Sequence, residues 1–366
     1  MRAGLVSVMM PAYNAEQYIS QAIQSVLDQT YLNWELIIVN DGSTDSTADI
    51  VIRYTNPRIK VIHQANGGES TARNTALKHM QGEFVAFLDA DDIYLADHLE
   101  KTIHYLLAYP HRGGVYTDGF HCDQYGNRLQ TLSSRRRGPF EGQIFEEVVY
   151  GSDVFGPPVS VVLRRGIIIE NELEFDKDIT IGPDWVFFTQ YSGLVEFGYL
   201  DQHTCLYRVH QDNITFRTDS TKRALELAKC RERLVKLNNF NYCSLETRWN
   251  VFHDLLVYSL NGFPDRQTEI TQWGEFRDLP PDYQAKLFRL MASQAIVNES
   301  TSSSIKLYLR RSKELNPSDW RGGLLIRLYN LNPYLCQQLL RFRRGYQTRH
   351  VNNPPFFDVG IAPSSE

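Results

Sequence analysis

Short apolar segments alternate with helical patterns through about the first 110 residues, and this alternation constrains the fold more than any other feature. Strands are predicted at residues 5–10, 36–39, 59–62 and 84–88. Between the first two, apolar residues recur at helical spacing, at Ile19, Ile23, Val26 and Leu27. Continuous apolar strands separated by helices are typical of α/β proteins, whose parallel strands are buried on both faces. The sequence therefore predicts an α/β fold.

Two further strands are predicted at 159–163 and 205–209, with a helix beginning at Gly182-Pro183-Asp184-Trp185 between them. Beyond about residue 219 the pattern becomes helical, with helices predicted at 223–237, 245–260, 283–297 and 305–315. We therefore divide the chain into a catalytic domain at 1–218 and a C-terminal helical domain or cap with a basic tail at 219–366.

Composition excludes several classes of protein. Of the 366 residues, 42% are hydrophobic and 22% charged, which is ordinary for a globular chain, and a net charge of −5 argues against a dedicated nucleic-acid binder. The five cysteines are scattered without a C-x-x-C pair, as expected for reduced thiols in a cytoplasmic protein. The apolar run at the start is too short for a signal peptide, and charged and polar residues interrupt the apolar segment 324–342.

Asp89-Ala90-Asp91 follows the strand predicted at 84–88. Two carboxylates at this spacing beyond a buried strand can hold a hard divalent cation and leave positions open for phosphate oxygens. Such a cation would neutralise the charge of a leaving diphosphate. The alternative is a solvated acidic turn before the next helix.

Two other polar segments follow strands. Asp41, in Asn40-Asp41-Gly42-Ser43, is suited to accept hydrogen bonds from a nucleobase, although an Asp-Gly turn before a helix cap is equally compatible with the pattern. Gly67 and Gly68 precede a helix that carries Arg73 in its first turns, where the guanidinium would reach a phosphate. The alternative there is a loop with an exposed arginine. Parallel strands direct such segments to one edge of a sheet.

Taken together, four segments resemble the family-2 glycosyltransferases with the GT-A fold, a mixed nucleotide-binding sheet flanked by helices. They are Val6 to Asn14, Ile37 to Asp45, Asn66 to Asn74 and Phe87 to Asp92. Their order and spacing agree with the family over roughly the first 110 residues, and a weaker resemblance continues to about residue 216.

The resemblance implies roles for individual residues. Pro11, Ala12, Tyr13, Asn14 and Asp41 would line the base and ribose of a nucleotide sugar. Gly67, Arg73, Asp89 and Ala90 would bind the rest of the donor, and Asp89, Asp91 and His210 would approach a Mn²⁺ or Mg²⁺ ion. The family's catalytic base lies in a Glu-Asp pair, for which this chain has Pro183-Asp184. Asp184 is therefore the expected base, whereas Pro183 departs from the family at a position that often serves the acceptor.

The expected activity is an inverting, metal-dependent transfer of a hexose from a nucleotide-diphosphate sugar, with UDP-sugars the commonest choice in the family. The acceptor would be a hydroxyl on a glycan, a lipid-linked sugar or a protein, in surface polysaccharide, glycolipid or glycan synthesis. One alternative is a sugar-phosphate nucleotidyltransferase, which would show a Gly-rich loop directly after the first strand. Another is a non-catalytic nucleotide-sugar-binding protein.

Residues 305–349 contain ten Lys or Arg and two acidic residues, so the rest of the chain carries about −13. Aromatic and leucine residues are interleaved with these charges. Such a region either docks on an anionic membrane surface or forms the solvated face of a helical cap. The first interpretation makes the protein peripheral to the inner face of a membrane.

Overall fold

The computed structural model describes residues 1–350, apart from the side chains of residues 215–216 and 344–350. The chain forms two compact units, of which the first is Met1–Asn239 and the second begins at Phe240.

The first unit contains one sheet of nine strands. In chain order these are β1 (Arg2–Ala12), β2 (Trp34–Asp41), β3 (Ile59–Gln64), β4 (Gly82–Phe87), β5 (Ile93–Tyr94), β6 (Arg112–Cys122), β7 (Arg128–Thr131), β8 (Val161–Arg164) and β9 (Glu196–Arg208). The sheet runs in the order β3-β2-β1-β4-β8-β6-β9-β5, with β7 paired to β6. Strands β1 to β4 are parallel, whereas β8 is antiparallel to both of its neighbours. The predicted α/β fold with a mixed sheet is confirmed.

Helices flank this sheet. They are α1 (Ile19–Leu27), α2 (Thr47–Val51), α3 (Glu69–His79), α4 (His98–Ala108), α5 (Phe145–Tyr150), α6 (Arg165–Glu170), α7 (Pro183–Ser192), α8 (Ile214–Arg217) and α9 (Ser220–Val235). Apolar side chains of β1, β2 and β4 pack against α1 and α4 in one core, because strands covered by helices can be apolar on both faces.

The central strand β6 is absent from the sequence-based prediction, and its glycines explain why. A Cβ atom on Gly113 would lie 2.4 Å from Val195, and one on Gly119 would lie 2.4 Å from the backbone oxygen of Cys205. Glycine therefore allows β9 to approach β6 closely. The same residues weaken the β-branched pattern by which a strand is recognised.

Helix α9 belongs to the first unit. The Cys230 thiol contacts the carbonyl oxygen of Ile181 at 3.3 Å, so the helix packs beside the segment that leads into α7. The first unit therefore extends to Asn239, about twenty residues beyond the boundary expected at 218.

The second unit is helical, as the pattern after residue 219 predicts. Its helices are α10 (Leu245–His253), which continues as a π-helical turn at Asp254–Ser259, then α11 (Pro264–Ile270), α12 (Gly274–Arg277), α13 (Pro281–Val297), α14 (Ser302–Leu315), α15 (Trp320–Leu331) and α16 (Pro333–His350). Within residues 1–350, no helix combines the length and apolar character that a bilayer crossing requires.

Candidate active site

The acidic segments meet at one edge of the sheet. Strand β1 pairs in parallel with β2 on one side and β4 on the other, so the carboxyl ends of β2 and β4 flank the end of β1. Asp41 is the last residue of β2, and Asp89 and Asp91 follow β4 by a few residues. This is the edge of an open α/β sheet at which ligands bind.

The carboxylate of Asp41 accepts hydrogen bonds from the loop that contains Gly67 and Gly68, which we call the glycine loop. Its Oδ1 accepts hydrogen bonds from the side chain of Gln64 at 2.7 Å and the amide of Gly67 at 2.9 Å, and its Oδ2 accepts from the amide of Gly68 at 2.8 Å. The side chain is only 2% exposed. Gly42 has φ 69°, and a Cβ atom there would lie 2.7 Å from the amide of Asn66. The carboxylate expected to contact a nucleobase therefore shapes the loop that precedes α3.

The end of β1 reaches the same loop. Asn14 has φ 49°, and its side-chain oxygen accepts from the amide of Thr44 at 2.8 Å, so it ties the β1 end to the segment after β2. The spacing of Asn14 and Gln17 predicts a capping box, but α1 begins at Ile19 without a side-chain cap. Tyr13 is 53% exposed at this edge, whereas Ala12 packs in the core.

Arg73 contacts the segment Asp89-Ala90-Asp91-Asp92, which we call the acidic loop, and joins the carboxylates of Asp89 and Glu69. Its Nη2 is 2.7 Å from Oδ1 of Asp89 and 2.7 Å from Oε1 of Glu69, and the residue is 1% exposed. The guanidinium also lies over the ring of Phe175. A buried cation in this position compensates several acidic groups at once.

Asp184 stands in the first turn of α7, close enough to Arg73 and Asp89 to interact electrostatically with both. Burial raises the pKa of Asp184, with Arg73 acting against that rise and Asp89 adding to it. Burial likewise raises the pKa of Glu69 to about 7, against the effect of Arg73. Pro183, which replaces the family's Glu, occupies the first position of α7, where proline suits helix initiation.

Asp91 is held from the far end of the sheet. Its Oδ2 lies 2.9 Å from Nε2 of His210, and Nδ1 of the same ring accepts from the amide of Asp212 at 3.2 Å. That second bond puts the ring proton on Nε2, so His210 donates to Asp91. A direct bond from Nε2 to a cation would require the proton to move to Nδ1.

A buried pair behind Asp91 fixes the loop. Asp92 is fully buried and accepts the amide of Arg208 at 2.9 Å, and burial raises the pKa of its carboxyl well above the usual range. The Arg208 side chain donates to the carbonyl of Asp91 at 2.7 Å and to the Gln21 side chain at 2.7 Å. The end of β9 is thereby fastened to the acidic loop. Ala90, between the two exposed acids, packs in the core and can offer a donor only its backbone.

The acidic loop fits a divalent cation that takes some of its ligands from the protein and others from a substrate. Oδ2 of Asp89 and Oδ1 of Asp91 make no hydrogen bond with any side chain that the structure describes, and both carboxylates are about one quarter exposed. In the described part of the chain, no three His, Cys, Asp or Glu side chains form a complete metal site. Mg²⁺ and similar ions commonly take one or two carboxylates and complete their shell with phosphate and water.

Comparison with known proteins agrees with this geometry. Residues 7–170 match the sequence profile described as glycosyl transferase family 2. This segment therefore carries the sequence pattern of that family. The match ends before Asp184, Arg208 and His210, so those residues lie outside the matched segment.

Curated relatives of the family match mainly the N-terminal part. A glucosyltransferase from Escherichia coli, named UDP-Glc:alpha-D-GlcNAc-diphosphoundecaprenol beta-1,3-glucosyltransferase WfgD, is 50% identical over 104 residues, which are 28% of this chain and 41% of that protein. The putative teichuronic acid biosynthesis glycosyltransferase TuaG of Bacillus subtilis is 48% identical over 106 residues, 28% of this chain and 42% of that protein. The matches thus span about two fifths of these relatives' length.

Solved structures share the fold over most of the chain. The S. aureus TarS fragment 1–349 in complex with UDP-GlcNAc aligns with a TM-score of 0.57 and 19% identity, covering 86% of this chain and 93% of that one. The same fragment in complex with UDP gives a TM-score of 0.53, 19% identity, and 86% and 89% coverage. At this identity the likeness establishes a GT-A-type fold.

Glu69 and Arg208 are the site residues that the sequence analysis did not assign. Glu69 lies in the glycine-loop motif, one turn before Arg73, and an acid at i and an arginine at i+4 on a helix is a recognisable pairing signal. Arg208 precedes His210 by two residues. Its role depends on a contact with a loop more than a hundred residues away, which no local pattern encodes.

Proposed function

We propose that this protein is an inverting glycosyltransferase that transfers a sugar from a nucleotide-diphosphate sugar to a hydroxyl acceptor. The observation that carries the proposal is the grouping of Asp89 and Asp184 around the buried Arg73, with Asp91 on the same loop as Asp89. Asp184, whose pKa is raised, thus lies near Asp89 and Asp91, which are suited to a cation on the diphosphate side of a donor. An inverting displacement needs one base for the acceptor proton and separate groups that offset the charge of the leaving diphosphate.

In the proposed reaction, the acceptor oxygen forms a bond to the anomeric carbon while the bond from that carbon to the diphosphate oxygen breaks. The nucleoside diphosphate leaves with the bonding electron pair, and Asp184 takes the acceptor proton. The raised pKa of Asp184 makes it a stronger base than an exposed aspartate, and a positioned base contributes about 10²–10⁴-fold in rate. Arg73 and the glycine loop keep Asp89 and Asp184 in place.

We propose Asp89 and Asp91 as the residues that would hold Mn²⁺ or Mg²⁺, with His210 orienting Asp91 or joining it as a ligand. When bound, the cation offsets the negative charge that develops on the leaving diphosphate. A mannosyltransferase from Pyrobaculum calidifontis in complex with GDP-Man and Mn²⁺ has the same fold, with a TM-score of 0.50, 18% identity, and coverage of 86% of this chain and 87% of that one. It supports the cation as part of the proposal.

The donor is proposed to be a UDP-sugar and the acceptor a sugar on a lipid-linked diphosphate. Two observations support these assignments: the name of the Escherichia coli relative specifies UDP-Glc and a diphosphoundecaprenol acceptor, and the TarS fragment binds UDP and UDP-GlcNAc. At the β1 end, Tyr13 offers an exposed ring on which a base can stack. The reaction would contribute to surface polysaccharide or glycolipid synthesis.

The test is a panel of UDP- and GDP-sugars incubated with the full chain and MnCl₂, with nucleoside diphosphate release as the readout. We expect release from one donor, faster when a polyprenyl-diphosphate sugar is added, and a product of inverted anomeric configuration. Asp184→Asn should lower kcat by about 10²–10⁴-fold while donor affinity stays unchanged. Asp178→Asn is the matched control, since that carboxylate is exposed and six residues earlier.

The outcomes distinguish the alternatives. Donor binding by thermal shift without turnover under any condition would indicate a non-catalytic nucleotide-sugar-binding protein. Formation of a nucleotide sugar from a nucleoside triphosphate and a sugar phosphate would indicate a nucleotidyltransferase. Near wild-type turnover in Asp184→Asn would remove that residue as the base.

A further inference from the structure

Helices α15 and α16 expose an unusual concentration of large apolar side chains. They are Trp320, Leu324 and Leu331 on α15 and Tyr334, Leu335, Leu339 and Phe342 on α16, each between 47% and 80% exposed. These seven, in a segment of 23 residues, are about a third of the 22 exposed large apolar side chains among the described residues. A patch of this kind on a folded protein marks an interaction surface.

The spacing shows that these side chains form helix faces. Trp320, Leu324, Arg327 and Leu331 follow one another at intervals of four, three and four residues, so they lie along one side of α15. On α16, Leu335, Leu339 and Phe342 repeat at intervals of four and three. The opposite sides are packed inward, through Leu325 on α15 and Cys336 on α16. The exposed sides are therefore not needed for the packing of the second unit.

The charge of this surface is mostly positive, with Glu299 beside it as the ion-pair partner of Arg341 at 3.1 Å. From 320 to 343 the chain has four arginines, at 321, 327, 341 and 343, and no acidic residue. The two helices pack on each other and are joined through Asn332 alone, so the apolar side chains and arginines share one region of the surface. We define Trp320, Leu324, Arg327, Leu331, Tyr334, Leu335, Leu339, Arg341, Phe342 and Arg343 as the aromatic–basic face.

We propose that the aromatic–basic face docks on the surface of a membrane that contains anionic lipids. Trp, Tyr, Phe and Leu enter the interface between headgroups and acyl chains, while arginines contact lipid phosphates. A second copy of this chain would place one set of arginines against another, which opposes self-association through this face.

This inference does not depend on the transfer reaction, because the face contains none of the residues assigned to the active site. It adds a location to the proposed function: an enzyme with a lipid-linked acceptor would work at the surface on which that lipid resides. Vesicle binding and donor turnover are separate measurements. Failure of one therefore leaves the other interpretable.

The experiment is co-sedimentation of the full chain with vesicles of phosphatidylcholine, alone or with 30% phosphatidylglycerol. We expect at least tenfold tighter binding to the anionic vesicles at low salt, and its loss at high salt. The double variant Arg327→Gln/Arg343→Gln, which removes two exposed arginines of the face, should bind about 30-fold more weakly. Its matched control is Arg310→Gln/Arg311→Gln, which removes the same charge from exposed positions on α14.

A second pair of variants tests the apolar contribution. Trp320→Ser/Phe342→Ser should lower the affinity for anionic vesicles at least tenfold. Tyr242→Ser/Ile52→Ser, at equally exposed positions outside the face, should leave it within twofold. Equal vesicle affinity with and without phosphatidylglycerol, or equal losses in the variants and their controls, would overturn the proposal. So would a concentration-dependent dimer that Trp320→Ser/Phe342→Ser dissolves, since a second copy would then cover the face.

Discussion

Replacement of Arg73 tests the electrostatic construction of the site. The guanidinium is 1% exposed, and a single nitrogen lies 2.7 Å from both Asp89 and Glu69. Arg73→Met keeps a long apolar stem against Phe175 but leaves Glu69, Asp89 and Asp184 without their shared cation. Since removal of one partner from a buried ion pair leaves an uncompensated charge, the substitution should be strongly destabilising.

The size of the effect follows from the exposure of the partners. Breaking a fully buried pair costs about 3–5 kcal/mol, and the side chains of Asp89 and Glu69 retain 26% and 35% exposure, so we expect the lower end, about 3 kcal/mol. For a unit of 239 residues, that loss lowers the melting temperature by roughly 6–12 °C. Arg73→Lys, which keeps the charge but offers one compact ammonium, should lose about half as much.

The assay is urea and thermal unfolding of the metal-free full chain at pH 7, with Arg53→Leu as control because that arginine is exposed. A double-mutant cycle with Asp89→Asn sharpens the result. In the Arg73→Met background, Asp89→Asn should cost at least 1 kcal/mol less than in the wild type, since it removes an uncompensated carboxylate. A loss below 1 kcal/mol for Arg73→Met, or strictly additive effects in the cycle, would refute the reasoning.

Three further predictions concern neighbouring residues. Asp41→Asn replaces an acceptor of two loop amides and should lower the free energy of unfolding by about 1–3 kcal/mol, with faster hydrogen exchange at Gly67 and Gly68; unchanged exchange would contradict the loop contacts. The pKa of Glu69 is about 7 in the folded protein against 4.5 ordinarily, so its contribution to stability is present below pH 4.5 and lost as pH rises through 7. Glu69→Gln should therefore melt higher than the wild type at pH 8 and equally at pH 4, and an equal difference at both values would disprove the shift. His210→Ala should raise the Mn²⁺ concentration for half-maximal activity by about 10–100-fold, and an unchanged value would show that Asp91 needs no support.

Strands with continuous apolar sequence could be predicted from the sequence. Strands β1 to β4 lie within a few residues of their predicted positions, because apolar strands covered on both faces have a local signature. The first strand, predicted at 5–10, runs from Arg2 to Ala12 in the structure. The helix expected after Gly67 and Gly68, with Arg73 in its first turns, is α3. These elements bring Asp41, Asp89 and Asp91 to one edge, as the pattern indicated.

Contacts between distant segments could not be predicted in the same way. Strand β6 could not be predicted because its glycines weaken the β-branched pattern, and those glycines are needed for the close approach of β9. Asp41 was interpreted as a ligand-binding residue, but the amides that occupy its carboxylate come from a loop 26 and 27 residues later. The position of Arg73 below Asp89, instead of at an open loop, likewise depends on how α3 packs on the sheet. Local sequence indicates residue types and spacing, whereas burial and partners are set by tertiary packing.

The hydrogen bond from the Arg208 amide to Asp92 limits how far the chain can be shortened from its C-terminal end without loss of the folded site. The match to the family profile ends at residue 170, which would invite a truncated version for biochemical work. Such a fragment would leave a fully buried carboxyl facing no arginine amide, and Asp91 would lose both its imidazole neighbour and the guanidinium bound to its carbonyl. We expect fragments that stop before His210 to be insoluble or inert even though they contain the whole matched segment, and the earliest sound endpoint is the end of the first unit at Asn239.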